Sequence, residues 1–227
     1  MVTAGKVFVV KEEIDIDTIA SKLKDFRTEE IQKLDDRELR LITEISDMKM
    51  VINALQGKYS QDQVITIYHR GEKVPTVRTV EAPFVFSNYK GRIFLTILEK
   101  KMQANSIANQ MSKILFLTTG HIVEARIAPE TMRNFHEQNF EDTKVVFFND
   151  VDIPNVKKLS LYGSSLADTT LYTDYCSHGN VWYIVIKPKR YGFIVGITRD
   201  GVVTIFSKVE NDDFINYVKN EIYPLIS

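Results

Sequence analysis

The chain holds a single cysteine, Cys176, among 227 residues. That excludes an intrachain disulfide and a cysteine-rich metal site. No run of apolar residues reaches the ~18 needed for a membrane-spanning helix. The opening residues, MVTAGKVFVV, lack the basic, apolar and small-residue succession of a secretory signal. Together these absences predict a soluble, cytoplasmic protein that does not engage a membrane. An excess of one charge is also missing: 29 basic residues stand against 30 acidic ones, a net of about −1. Net charge therefore selects no polyelectrolyte partner. No short repeat or low-complexity tract occurs. The phosphate loop G-x-x-x-x-G-K-[ST], the dinucleotide fingerprint G-x-G-x-x-G, the nucleophile elbow G-x-S-x-G and the zinc motif H-E-x-x-H are all absent.

What is present reads as an ordinary globular chain, 44% hydrophobic and 26% charged. Charge is uneven along it. Residues 61–120 carry eight basic and four acidic side chains, a balance of +4; residues 121–180 carry five and nine, a balance of −4.

The predicted fold class is α+β: a largely antiparallel sheet covered by amphipathic helices, with a C-terminal three-strand meander and a terminal helix. KVFVV at 6–10 reads as a strand. Ile16, Ile19, Ala20, Leu23 and Phe26 then recur at helical spacing, with Asp15 as the N-cap. TEEIQKLDDRE reads as an exposed turn or a helical extension. Leu39, Leu41, Thr43 and Ile45 alternate as a strand does, and Gly57 reads as a break. QVITIYH and VPTVRTV form two extended runs around RGEK, and Pro75 argues against full pairing within a sheet. RIFLTILE is a further strand, and MQANSIANQMSKILF a helix burying Ile107, Met111, Ile114 and Leu115. Pro129 starts another helix. The stretch from Gly163 to Asn180 reads as a polar surface loop, with one short helix within it as the alternative. VWYIVIK, YGFIVGIT and GVVTIFSK make the meander. Phe214, Val218 and Ile222, four apart, form the buried stripe of the terminal helix. A boundary near residue 100 divides an N-terminal α/β region, 1–100, from a C-terminal α+β region, 101–227; one continuous domain is the alternative.

Two groups of residues suggest chemistry. In RIFLTILEKK, Glu99 and Lys101 form an E-x-K pair at a predicted strand end, where positions two apart share a side. Glu99 has the oxygen chemistry of a Mg2+ or Mn2+ ligand, and Lys101 the charge to stabilise a phosphate or an activated water. With Gln103 and Gln110 in the following helix, the pattern resembles the core motif of restriction-endonuclease-like metal nucleases. The resemblance implies a separate acidic ligand, for which Asp62 and Glu81 are available. The same residues also make a polar strand end beside a core helix. The second group is the basic run Lys187, Lys189, Arg190 and Tyr191, where cations can meet phosphates and an aromatic can stack on a base. Arg70, Lys73 and Arg78 form another basic turn. The histidines and the cluster Ser164, Ser165, Asp168, Asp174, Cys176 and His178 match no catalytic motif. The sequence therefore predicts a non-enzymatic binding or assembly module, with a protein partner, a second copy or nucleic acid as its target and no resident cofactor. A divalent-metal nuclease is the alternative.

Overall fold

The computed structural model describes residues 2–34, 37–139 and 143–227. Among these the chain is mixed α/β and dominated by antiparallel strands, sheet-rich where the sequence suggested a helix-covered sheet. It divides into two compact units. One comprises residues 1–9, 98–105 and 123–227; the other comprises 10–97 and 106–122.

In the first unit, β1 (Thr3–Val10) pairs with β12 (Val202–Ile205), which continues through β11 (Val195–Thr198), β10 (Asn180–Ile186) and β8 (Thr143–Asn149) to β9 (Leu159–Tyr162). A short strand, β7 (Ile122–Glu124), lies beside β1. The antiparallel meander β10–β11–β12 is the one read from its β-branched and aromatic runs. Its middle strand is shorter than expected, because Tyr191–Ile194 stay outside the ladder. Helix α3 (Pro129–Gln138) begins at its proline, whose missing N–H is not needed in the first turn. The segment read as a loop with room for one short helix contains α4 (Thr170–His178), capped by Thr169, whose hydroxyl accepts from the Tyr172 N–H at 3.1 Å. Helix α5 (Asn211–Tyr217) passes into a π-helical turn at Val218–Ile222, and Phe214, Val218 and Ile222 are all fully buried.

The second unit orders its strands β2 (Arg27–Leu34), β3 (Arg37–Val51), β4 (Ala54–His69), β5 (Glu72–Tyr89) and β6 (Arg92–Ile97), each antiparallel to the next. Helix α1 (Ile16–Leu23) is capped as expected, with the Asp15 carboxylate accepting from the Thr18 N–H at 2.6 Å. TEEIQKL is β2, not a turn or a helix. Gly57 does not break β4. It faces Phe84 across the ladder, and a methyl group there would meet the Phe84 ring at 2.6 Å. Phe84 is fully buried, so its ring must shift within a filled core to admit the methyl group. Gly57→Ala is expected to destabilise this unit by about 1–3 kcal/mol, the usual cost of overpacking a filled core. Chemical denaturation measures it; a loss below about 0.5 kcal/mol would show that the ring yields.

No described helix is long and apolar enough to cross a membrane.

Candidate functional site

Beyond residue 61 the strands of the second unit separate into two hairpins. β3 and β4 pair from Val51 opposite Ala54 to Thr43 opposite Gln61. The next β3 amide, Ile42, finds no β4 carbonyl. It donates instead to the Asp62 carboxylate at 3.0 Å, and the other carboxylate oxygen accepts from the Thr79 hydroxyl at 2.6 Å. Asp62 therefore closes the β3–β4 ladder with a side chain. From there β2–β3 continues as one hairpin and β4–β5 as another.

The β4–β5 hairpin runs on as a two-stranded ribbon from Gln63 opposite Arg78 to His69 opposite Glu72. Its tip, Arg70-Gly71, has positive φ at both residues, the requirement of a tight two-residue hairpin turn. Cross-strand partners share a face. One face therefore carries Val64 with Val77, Thr66 with Pro75 and Tyr68 with Lys73; the other carries Ile65 with Thr76 and Ile67 with Val74. Both faces are apolar at their centres. Yet no residue from Gln63 to Thr79 is buried; Tyr68 is 73% exposed and Ile67 43%. Among the described residues each strand also has a free edge, since β3 has left β4 and β6 joins β5 only from Phe84 onward. Pro75 sits here as prolines do, on a strand paired on one side. An isolated two-stranded ribbon is marginal in water, and open apolar edges invite a further strand or surface.

The residues proposed for metal chemistry occupy other settings. β6 ends at Ile97, and Lys101 is the first residue of α2 (Lys101–Phe116), so the E-x-K pair does not lie along one strand. The Glu99 carboxylate accepts from the Lys100 backbone N–H at 2.7 Å, while Lys101 pairs with Asp200. Asp62 is engaged at the hairpin fork, and Glu81 pairs with Lys58 at 3.1 Å. Among the described residues no three His, Cys, Asp or Glu side chains are grouped to hold a metal ion.

Lys101 belongs instead to an ionic cluster that the sequence did not reveal. Lys6 on β1 is fully buried, hydrogen-bonded to Glu124 of β7 and 3.8 Å from Asp200 in the β11–β12 turn. Asn105 donates to Glu124 at 2.9 Å. Burial pushes the Glu124 and Asp200 carboxyls up, but their bonds and charge pairing with Lys6 and Lys101 bring both below the ordinary range. Every charge in this cluster has a partner within it, which makes it a structural brace.

The basic turn at 187–190 exposes Lys187, Lys189 and Arg190. Tyr191 is held: its ring meets Tyr217 edge-on at 5.0 Å and Phe193 at 5.6 Å, and its hydroxyl donates to Glu221 at 2.9 Å. Arg190 lies over the same ring at 5.7 Å. The aromatic is thus a packing residue, while Lys187, Lys189 and Arg190 are exposed. His121 bonds Glu12 at 2.6 Å and Thr118 at 2.8 Å, and His178 bonds Asp152 at 2.8 Å. Burial raises the Cys176 thiol above its ordinary value, which opposes a nucleophilic role. A cavity of about 560 Å³ in the second unit is lined by Lys22, Phe26, Tyr59, Gln110 and Lys113, among others, but Lys22 is already bound to the Leu115 carbonyl at 2.6 Å.

Neither a protein-family model nor a curated protein matches this chain.

Proposed function

We propose that the protein is a binding or assembly module whose working part is the β4–β5 ribbon. One observation carries this reading: the ribbon is apolar on both faces, open along both edges and buried nowhere from Gln63 to Thr79. A ribbon so built gains stability when a partner covers it, by adding a strand to an edge or by enclosing the apolar centres. The partner class favoured is protein, because an apolar ribbon gains little from phosphates. The exposed cations Lys187, Lys189 and Arg190 support nucleic acid as the second reading.

Excision of the ribbon tests both. Asp62 and Thr79 face each other across the ladder, so an Asn-Gly turn can join them in place of residues 63–78. The wild-type chain, tagged and expressed in its native cells, is expected to migrate in a complex larger than its own 26.2 kDa; the excised chain is expected to migrate as a monomer. Equal migration of the two would overturn the ribbon as the docking part. A large species that collapses on nuclease treatment, and that fails to form when Lys187, Lys189 and Arg190 are neutralised, would establish the second reading instead. Mg2+- or Mn2+-dependent cleavage of DNA or RNA that is lost in Glu99→Gln would replace both with the nuclease.

A further inference from the structure

The cavity of about 560 Å³ lies wholly within the second unit. Its sheet side is a polar row across three strands: Thr28 pairs with Thr43, and Thr43 with Gln61. Cross-strand partners share a face, and so do positions two apart on one strand. Glu30 therefore stands beside Thr28, and Tyr59 beside Gln61, on the face that lines the cavity. The helix side comes from α2, where Gln110, Lys113 and Ile114 are spaced to share one stripe.

Lys22 is engaged, but these groups are not. Tyr59 is the one fully buried residue of the lining, and its hydroxyl has no hydrogen-bond partner among the described residues. Buried hydroxyls are almost always bonded, because an unpaired one has given up its hydration for nothing. Burial pushes this phenol up to about 12, so at neutral pH it keeps its proton and offers it. At the other extreme, Glu30 and Lys113 are exposed and set one negative and one positive charge at the mouth. Among the described residues neither makes an ion pair, with the other or with any third group. Gln61 and Gln110, half-buried between these ends, make no side-chain hydrogen bond to the described residues either. A water molecule would satisfy the phenol alone. Opposite charges at the mouth, with amides and a phenol donor behind them, fit a molecule with both charges at one end and an acceptor at the other.

We infer that this cavity binds a free α-amino acid, with its carboxylate on Lys113, its ammonium on Glu30 and a side-chain acceptor at the Tyr59 hydroxyl. None of these residues lies in the ribbon, so the site stands or falls apart from the ribbon's partner.

Isothermal titration calorimetry of the purified full-length chain with the common L-amino acids tests this. At least one with a side-chain acceptor, such as L-glutamine or L-asparagine, is expected to bind with a dissociation constant below about 1 mM. Lys113→Met and Glu30→Gln are each expected to weaken that binding about tenfold or more, the effect of losing a charge-assisted hydrogen bond. Tyr59→Phe, which removes a single oxygen, is expected to weaken it about threefold to tenfold. Blocking the ligand is expected to match the charge substitutions: N-acetylation, or amidation of the α-carboxylate, each costs about tenfold or more. Circular dichroism checks that the variants keep the wild-type fold. Absence of binding by every amino acid at about 10 mM overturns the inference. Binding that survives neutralisation of either charge, or that the blocked forms share, overturns it as well, since the ligand then lies elsewhere or belongs to another class.

Discussion

Replacing Phe214 by alanine is expected to cost about 3–5 kcal/mol of folding stability, the range for removing a large aromatic side chain from a filled core. Phe214 is fully buried at the start of the C-terminal helical segment, one turn before Val218 and two before Ile222, both also fully buried. Tyr217 beside it packs edge-on against Tyr191 and Phe193. Equilibrium denaturation of wild type and variant gives the difference directly. A change under about 0.5 kcal/mol would mean that the segment does not hold its unit together.

The second large effect concerns the buried lysine. Glu124→Ala is expected to cost about 2–4 kcal/mol, because it leaves the fully buried Lys6 ammonium with only Asp200, 3.8 Å away, as a described carboxylate partner. Lys6→Met is expected to cost less. Its loss removes the buried charge itself, and the carboxylates it leaves reach solvent or, for Asp200, still pair with Lys101. The order of the two effects is the test: a larger loss for Lys6→Met would mean that the lysine is not the group paying the desolvation cost. The cluster also sets a pH dependence. Both carboxyls have lowered folded-state pKa values, so the folded state binds fewer protons than the unfolded state through the acid range. Their contribution is fully present above the ordinary carboxylate pKa of ~4 and is lost as pH falls through the lowered folded values. Urea midpoints measured from pH 6 downward are expected to fall more steeply for wild type than for a variant lacking both acids.

The parts of the fold that could be read from sequence are those where burial writes a period. The meander shows strand-like runs between turn residues, and α1 shows its helical stripe behind the Asp15 cap. β2 left no such trace. TEEIQKL is exposed on both sides, so nothing but pairing with β3 makes it a strand, and pairing is not a local property. The bounds of α4 left no trace for a related reason, since only Tyr172 on it is buried. Gly57 reads locally as a break, but its role is to accommodate a ring 27 residues further along the chain, at Phe84. The E-x-K pair depended on where a strand stopped: ending β6 at Ile97 places Lys101 in a helix, where it turns to Asp200. The two runs of the ribbon were legible as strands. That they leave the sheet was not, because the ladder's end is a matter of pairing between distant segments; it falls where the Asp62 carboxylate takes the amide of Ile42.

Whether the ribbon is where this protein meets its partner is decided at Tyr68, which is 73% exposed beside the ribbon's tip. A photoactivatable phenylalanine analogue placed there, and separately at Tyr162 on β9, which is 69% exposed in the other unit, reports what each surface touches in native cells. Illumination is expected to give one discrete adduct from position 68 and none from position 162, with mass spectrometry of the adduct identifying either a second copy or another protein. A smear or no adduct at position 68, or the same adduct from both positions, would contradict it.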